Sequence, residues 1–560
     1  MNNENISAEP NNEQQLSEYD QHMILQFEDT IRDGVLEIED NQELTNLDFL
    51  RNLNVSKLSL YSCKNIEQCI TNDTIKELNI NKCGFQNVLG INLNNLEVLR
   101  LQENNMDDTQ NILRQIQNNP QFLKLRELDL SEHLMIDRRN NDPEMSGEHV
   151  VKQINTQKSL NNLVKLTLDG NGITTLDILS ALTNLEELDL SRNRGIDISQ
   201  IKHLTKLTKL TLESCELMEI EDLSQLTSLT ELNLNGNQKV DITPLCNLKQ
   251  LVHLDLYFCG LKDISALQNL TKLIFLQLQV NQTIDISLLS SLNNLKELYI
   301  SCNNIDDIKY LQYLVNLTIL DISYSKVKDF SVLRKLTNLE VLNMSFNSNA
   351  DITPLQYLVK LRKLELWHCN LYDIYALRPL INLQKLILSN NYIHDISPLS
   401  SLNNLIELYL NENIITDFSS VKQHINLHQF QIEDQIKDQY MPTIKEQKIY
   451  KKNNLQHYVF GVYLLKLFQF QNYYKYQYYD IKNILFHVFQ PIFKYETNIK
   501  VRTRSSHSLR ILSEQNNRQL KILLPQYHLA VVLQTVRIIN ISINSTFSTN
   551  IHQHQFSNAV

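Results

Sequence analysis

The sequence is poor in the residues that most often build turns. Its 560 residues include only 10 Gly and 10 Pro, which excludes a fold with dozens of Gly-Pro loops. The turns must therefore be built from Asn, Asp and Ser, whose side chains can hydrogen-bond nearby backbone. The eight cysteines form no C-x-x-C pair, and isolated buried thiols suit a reducing compartment.

Long apolar runs and a secretion signal are also missing. The first 15 residues, MNNENISAEPNNEQQ, contain no basic cluster followed by an apolar run, so they do not predict a signal peptide. The apolar stretch from Val459 to Phe468 is interrupted by Lys466. It reaches about half of the roughly 20 residues that a membrane helix needs. We therefore expect a cytoplasmic or nuclear protein without a transmembrane helix.

The net charge of −11 conceals an acidic body and a basic tail. Residues 441–560 hold 15 Lys and Arg against 4 Asp and Glu, and residues 1–440 hold 37 against 59. This balance disfavours nucleic acid as a ligand of the body.

Leucines recur every 22 residues through the middle of the chain. They are Leu163, Leu185, Leu207, Leu229, Leu251, Leu273, Leu295, Leu317, Leu339, Leu361, Leu383, Leu405 and Leu427. Each begins a unit of the form L-x-x-L-x-L-x-x-N or a close variant, as in Leu229, Leu232, Leu234 and Asn237. Such a repeat adds one short strand per unit to a parallel sheet. No unit buries its own apolar face, so the units must stack as the rungs of a solenoid.

The position of a residue in its rung, counted from this leucine as position one, predicts where its side chain points. The strand period of two sends positions four and six inward, and positions three, five and seven outward onto the concave face. Position nine closes the turn, where an inward Asn amide can satisfy backbone of adjacent rungs and Cys fits the same volume. It holds Asn171, Asn193, Cys215, Asn237, Cys259, Asn281, Asn303, Ser325, Asn347, Cys369, Asn391 and Asn413. Metal binding by these cysteines is disfavoured because they lie one or several rungs apart.

The return half of each rung repeats as well. Ser or Thr precedes Pro244, Pro354 and Pro398, which predicts an N-cap followed by Pro at the first position of a short helical turn on the convex side. Ahead of it stands a column of Asp197, Asp241, Asp263, Asp285, Asp307, Asp329, Asp351, Asp373, Asp395 and Asp417. An Asx-type bond from each Asp to the backbone is the favoured interpretation, and cation binding along the column is the alternative.

These patterns divide the chain into four regions. Residues 1–32 are a polar segment that we expect to cap the first rung, and residues 33–162 hold irregular rungs. Residues 163–433 are the regular rungs, and residues 434–560 are a basic, aromatic-rich tail whose first part can cap the last rung.

The irregular rungs differ from the regular ones in their spacing. They begin at Asp33, Val55, Ile75, Leu96 and Leu125. A longer convex helix is predicted at Ile112–Gln117, and an insertion lies near Asp137–Ser159. Eighteen rungs are expected in all.

The L-x-x-L-x-L-x-x-N and D-I-S/T-P-L elements resemble the 22-residue class of leucine-rich repeats. Bacterial internalins and the leucine-rich regulatory subunit of protein phosphatase 1 share this class. The resemblance covers roughly Asp33 to Glu433 and implies an α/β repeat solenoid with a curved parallel sheet on its concave face. It does not specify a partner.

The sequence contains no catalytic motif of the P-loop, zinc-protease or serine-hydrolase kind. His552 and His554 form a weak, incidental metal pattern. We therefore expect no enzymatic activity, no cofactor, no metal and no small-molecule substrate.

The concave face carries the candidate site, because the repeat leaves its positions free. From the rung at Leu251 to the rung at Leu361 we predict a partner-binding patch of Tyr257, Phe258, Phe275, Tyr299, Tyr324, Phe346, Trp367 and His368. Aromatic residues are enriched at interface hot spots. Acidic neighbours, namely Glu231, Asp255, Glu297, Asp321 and Glu365, favour a partner that is basic and apolar.

The first hypothesis for function is therefore an intracellular protein-interaction scaffold. Regulation of an enzyme such as a protein phosphatase is the second, and a surface adhesin of internalin type is the third. The tail includes the tyrosine-rich run QNYYKYQYYD, which suggests nucleic-acid or membrane contact. Compositional bias is the favoured interpretation of that run.

Overall fold

The computed structural model describes most of residues 17–432 and three short strands between residues 499 and 523. Residues 67–69, 87, 105–108, 132–158, 176–178, 180–181, 283, 423 and 425 are not described. The predicted insertion near Asp137–Ser159 lies almost wholly outside the described residues, as does the run QNYYKYQYYD.

Eighteen strands of residues 1–440 form one parallel sheet, which confirms the predicted fold and number of rungs. The helices are α1 (Glu18–Phe27) and α2 (Thr109–Asn118). The strands are β1 (Val35–Glu39), β2 (Lys57–Tyr61), β3 (Ile70–Thr71), β4 (Glu77–Asn81), β5 (Ile91–Asn92), β6 (Val98–Arg100), β7 (Glu127–Asp129), β8 (Lys165–Thr167), β9 (Glu187–Asp189), β10 (Lys209–Thr211), β11 (Glu231–Asn233), β12 (His253–Asp255), β13 (Phe275–Gln277), β14 (Glu297–Tyr299), β15 (Ile319–Asp321), β16 (Val341–Asn343), β17 (Lys363–Glu365), β18 (Lys385–Ile387), β19 (Glu407–Tyr409) and β20 (Gln429–Gln431). Strands β3 and β5 pair separately.

The register of the sheet is one rung per strand. Leu254 lies beside Leu232 on one side and Leu276 on the other. As position four predicts, Leu254 is fully buried, and Leu256 at position six is buried as well. Positions three and five stay accessible, at least in part, and define the concave face. Position seven is partly accessible at Tyr257, but the small side chains of Ser191, Ser301, Ser323 and Ser345 at the same position are buried, so the predicted outward exposure is wrong for these rungs.

Short 3-10 helices make the return half of the rungs. They are Glu28–Thr30, Asp48–Asn52, Pro120–Lys124, Ser159–Asn162, Ile201–His203, Glu221–Gln225, Thr243–Asn247, Ser265–Leu267, Ile286–Leu289, Lys309–Tyr313, Ser331–Lys335, Thr353–Tyr357, Tyr375–Leu377, Ser397–Ser401 and Ser419–Val421. The predicted N-cap is wrong, because Thr243 is already the first residue of its helix and Ile242 holds the cap position.

The side chain that closes this turn belongs to the Asp column. Asp241 Oδ1 accepts a hydrogen bond from the Thr243 backbone N–H at 2.9 Å, and the other nine members bond the residue two positions on in the same way. The Thr243 hydroxyl also donates to Asp241 Oδ1, at 2.6 Å, and this bond together with the backbone bond lowers the pKa of Asp241 from its ordinary value. The Asx-type interpretation of the column is therefore confirmed.

The predicted ladder of Asn at position nine is present in the core. Buried Asn237 donates to the carbonyls of Leu212 at 2.8 Å and Leu234 at 2.7 Å. Its oxygen accepts from the N–H groups of Cys215 at 3.2 Å and Leu217 at 3.0 Å. One amide thus satisfies backbone of two rungs.

A second ladder of Asn lies at position 22, immediately before the strands. Asn338 Nδ2 donates to the Val315 carbonyl of the preceding rung at 2.9 Å. The same bond is made by Asn162, Asn184, Asn294, Asn316, Asn382, Asn404 and Asn426. Where both are present, the two ladders tie neighbouring rungs at both ends of the strand.

Three further strands lie within residues 441–560 and form an antiparallel sheet. They are β21 (Ile499–Ser505), β22 (Ser508–Ser513) and β23 (Gln519–Leu523). The rest of the predictions for the tail after residue 440 lie outside the described residues.

Candidate functional site

The concave face of the rungs at β7 to β11 carries a ladder of alternating charge. Position three places Glu127, Lys165, Glu187, Lys209 and Glu231 on neighbouring strands. Lys165 contacts Glu187 at 3.1 Å, and Lys209 contacts Glu231 at 2.8 Å. An open cavity of about 250 Å³ lies over this ladder. The charges of the ladder largely form ion pairs with one another. None of the predicted site residues lines this cavity.

The eight predicted site residues follow on the next rungs, where all of them are partly buried. None of them is among the exposed large apolar side chains. The rings cover one another in part. They fall into three groups.

The largest group contains Tyr324, Phe346, Trp367 and His368, and we call it the Trp367 cluster. Tyr324 stacks on Phe346 with ring centroids 4.0 Å apart and planes 14° from parallel. Trp367 meets Phe346 edge-on at 4.7 Å, and His368 lies 5.0 Å from the same ring. Phe346 is thus the centre of a cluster drawn from three consecutive rungs.

The second group joins Phe275 and Tyr299 to a residue that the sequence analysis missed. His253 stacks on Phe275 at 3.8 Å with planes 4° from parallel, and Tyr299 lies 5.5 Å from Phe275. Burial lowers the pKa of His253, so the neutral ring is favoured in this stack. The 22-residue register offered a signal, because it places His253 directly beside Phe275 on the adjacent strand.

The third group is the pair Tyr257 and Phe258, whose ring centroids are 6.3 Å apart. The predicted patch thus contains three sets of ring contacts that follow one another along the rungs.

Position eight, which holds half of the predicted residues, has a left-handed backbone. The φ angles are +53° at Phe258, +52° at Tyr324, +62° at Phe346 and +54° at His368. Other rungs place Gly there, for example Gly236. A residue with a Cβ costs roughly 1–2 kcal/mol in this conformation. The N–H of Phe346 donates to the Trp367 carbonyl at 2.8 Å, so the conformation is used to bond the next rung.

The acidic residues around the rings are already engaged. Glu231 contacts Lys209 and Glu365 contacts Lys363, each at 2.8 Å. Asp321 accepts from Gln279 Nε2 at 2.8 Å. The negative potential that a partner meets is therefore weaker than the count of carboxylates predicts.

Two carboxylates between the charge ladder and the rings carry raised pKa values. Burial raises the pKa of Glu213 to about 7, and the nearby Asp255 and Asp169 carboxylates add to the shift. Burial also raises the pKa of Asp255 to about 6, against the opposing bond from the Tyr257 N–H. This part of the face therefore changes charge near neutral pH.

Neither a metal site nor a membrane helix is found in the part of the chain that the structure describes. No cluster of three or more His, Cys, Asp or Glu side chains there is suited to hold a metal ion. None of the described helices is long and apolar enough to cross a membrane.

Comparison with known proteins identifies the repeat. The family of leucine-rich repeats in two copies matches residues 161–203, 315–357 and 381–423. An internalin of Listeria monocytogenes, InlF, is 33% identical over 49% of this chain and 82% of that one, with a TM-score of 0.47. A leucine-rich-repeat protein of Leptospira interrogans is 25% identical over 59% of this chain and 88% of that one, with a TM-score of 0.48. Curated protein sequences gave no match.

The matched residues are leucine-rich repeats, in agreement with the repeat that the sequence predicts. The predicted similarity to internalins is confirmed, whereas similarity to a phosphatase subunit stays a prediction. Proteins of this fold are in general scaffolds for protein-protein interaction and are typically not enzymes.

Proposed function

We propose that the chain is an intracellular scaffold that holds a partner protein on its concave face, between the rungs at Leu251 and Leu361. The Trp367 cluster is the observation that carries the proposal. Its four side chains occupy positions that folding leaves free, and three of them pay a conformational cost that Gly would avoid. Large aromatic side chains dominate the energetics of protein interfaces.

The side chains of the Trp367 cluster and the carboxylates beside them define the chemistry of this partner. Phe346 and Trp367 present an edge-on pair of rings, which suits an apolar side chain laid against them. Glu365 is neutralised by Lys363, but the bond that Asp321 accepts from Gln279 comes from a neutral amide and does not cancel its charge, which favours a basic residue at the margin. We therefore expect a partner segment that is apolar at its centre and basic at its rim.

The test is a pull-down from native lysate with the full chain, followed by cross-linking mass spectrometry. The variant Phe346→Ala with Trp367→Ala should lose the partner that wild type captures, because both central rings are removed. Tyr372→Ala with Tyr392→Ala is the matched control, since these rings stack at 5.1 Å on the return half of their rungs. An identical partner list for all three proteins would refute the proposed site.

Two measurements separate this function from the alternatives. Phosphatase activity that co-purifies with wild type and is lost with the Phe346→Ala, Trp367→Ala variant would favour regulation of an enzyme. Cleavage of the protein by protease added to intact cells would favour a surface adhesin.

A further inference from the structure

The two edges of the repeat sheet differ in charge. We call positions 18–22 and position two the basic edge, because they lie where the strands begin. From the rung at Leu185 to the rung at Leu405 the basic edge holds eleven Lys and Arg against two Asp and Glu. Positions 8–14, where the strands end, hold six against fourteen in the same rungs. An acidic solenoid thus has one edge of opposite sign.

The cations in the middle of this edge are not neutralised by the protein. Arg334, Lys335, Lys360, Arg362 and Arg378 are exposed, and none of them forms an ion pair with a described residue. Their bonds go to neutral amides, such as Lys335 to a Gln oxygen and Lys360 to an Asn oxygen, both at 2.7 Å. On the concave face, by contrast, the lysines of the charge ladder are paired with Glu.

Apolar side chains stand between these cations. Tyr313, Val315, Tyr357, Val359 and Ile381 expose 52%, 46%, 53%, 47% and 53% of their surface. Val315, Val359 and Ile381 share position 21, where most other rungs hold Thr or Asn. Exposed apolar groups among uncompensated cations indicate a surface that is covered by a partner.

The length of the edge and its aliphatic groups select the partner. Eleven rungs at about 4.8 Å extend over roughly 50 Å, so only an extended anionic surface faces all of the cations. Nucleic acid is extended and anionic, but its backbone offers nothing to Val and Ile. A lipid bilayer offers both anionic headgroups and an apolar boundary, and Tyr favours that boundary.

We propose that the basic edge docks on the surface of an anionic lipid bilayer. Lys and Arg contact the headgroups, while Tyr313, Tyr357 and the aliphatic residues of position 21 reach the acyl boundary. This interaction is independent of the proposed partner site, because the concave face is left open.

The test is co-sedimentation of the full chain with two kinds of vesicles, phosphatidylcholine alone and phosphatidylcholine with phosphatidylserine. Binding should require phosphatidylserine and weaken as salt increases. The variant Lys335→Gln, Lys360→Asn and Arg362→Gln should bind roughly 100-fold more weakly, since each cation near the surface contributes about fivefold. Lys360→Asn and Arg362→Gln introduce residues that other rungs use at the same positions, Asn338 and Gln384.

The apolar contribution is tested by Val315→Asn, Val359→Asn and Ile381→Asn, which copy Asn293 and Asn403 of other rungs. Binding should fall about tenfold or more, because three apolar side chains no longer enter the boundary. Lys326→Gln with Lys328→Gln on the opposite edge is the matched control and should leave binding unchanged.

Three results would overturn the proposal. The first is a lack of binding to phosphatidylserine vesicles, and the second is binding that survives in both edge variants, which would place it in the basic tail. The third is tighter binding to a single-stranded oligonucleotide that only the charge variant weakens, which would assign the edge to nucleic acid.

Discussion

The rungs at β8 to β11 and the rungs at β12 to β17 share one backbone but present different concave faces. In the first set, Lys165 and Lys209 meet Glu187 and Glu231 across neighbouring strands. In the second set, position three holds two rings, two aliphatic side chains and two charges. Phe346 in this set contacts three other rings. The comparison shows that the repeat determines where a side chain points but not what it meets.

This difference separates stability from recognition. The charged groups of the ladder are paired with one another, so few of them are available to bind a partner. Exposed ion pairs also contribute little to the free energy of folding. The rings only partly cover one another, so a partner can still bury more of their surface. The two regions should therefore respond alike when the shared skeleton is damaged and differently when the concave face is changed.

The largest expected effect comes from the Asn ladder that both regions share. Asn193 donates to the carbonyls of Leu168 and Leu190 at 2.9 and 2.8 Å, and Asn303 makes two equivalent bonds at 2.9 Å. Asn193→Ala and Asn303→Ala should each lower the free energy of unfolding by about 3 kcal/mol, because several buried backbone groups lose their hydrogen-bond partner. Urea unfolding measures both. A much milder effect in one region would show that the two do not share the skeleton.

The next largest effect on stability is expected at one of two glycines, one in each region, that differ in the space around them. A Cβ at Gly260 would lie 2.3 Å from the Gln238 carbonyl oxygen, whereas a Cβ at Gly195 would meet nothing within 4 Å. Both have positive φ, +67° and +69°. Gly260→Ala should cost about 3 kcal/mol through backbone displacement, and Gly195→Ala about 1 kcal/mol through conformation alone. Equal shifts of the thermal midpoint would contradict the close approach at Gly260.

Glu213 lies in the first region, in the rung of β10, and should make the stability of the protein depend on pH. Its pKa rises from 4.5 to about 7 on folding, so the folded state binds the proton more tightly and stability falls as pH rises from 4.5 through 7. Glu213→Gln should remove this slope and stabilise the protein above pH 7 by roughly 2 kcal/mol. Unfolding measured at a series of pH values tests this. An unchanged slope in the variant would assign the effect to other groups such as Asp255.

The smallest expected effect is at the charge ladder itself. Lys209→Gln removes the contact with Glu231, and both side chains are about half exposed, 49% and 47%. We expect a loss of at most about 0.5 kcal/mol and no change in the partners captured by pull-down. A loss of partner with unchanged stability would move the binding site from the rings to the charge ladder.

The sequence predicts most of this fold because its signals are local and repeated. The register places Leu254 inside and Tyr257 outside, and the Asp of position 13 finds its backbone partner two residues on. The second ladder was missed although Asn316, Asn338 and Asn382 repeat at position 22, because an Asn at the surface has no distinctive pattern of burial. The N-cap was misassigned because Asp241 and Thr243 are both capping residues by type.

The candidate site is less predictable from sequence because ring contacts depend on side-chain rotation. The register shows that Phe346 and Tyr324 are neighbours, but not that they stack and hide much of their surface. It also does not reveal that Asp321 and Glu365 already have partners within the chain. The sequence therefore predicts which residues share the concave face, whereas it does not show which of their rings are in contact.

The bonds that recur between neighbouring rungs give the binding surface an adjustable length. Both Asn ladders and the Asx turns are complete within adjacent units, so inserting one 22-residue unit between Leu295 and Leu317 would preserve all of them. The rings around Phe275 and the Trp367 cluster would then move apart by about 4.8 Å without any change in either. Gene-level gain or loss of single units can thus rescale the distance between two recognition elements while their chemistry stays constant.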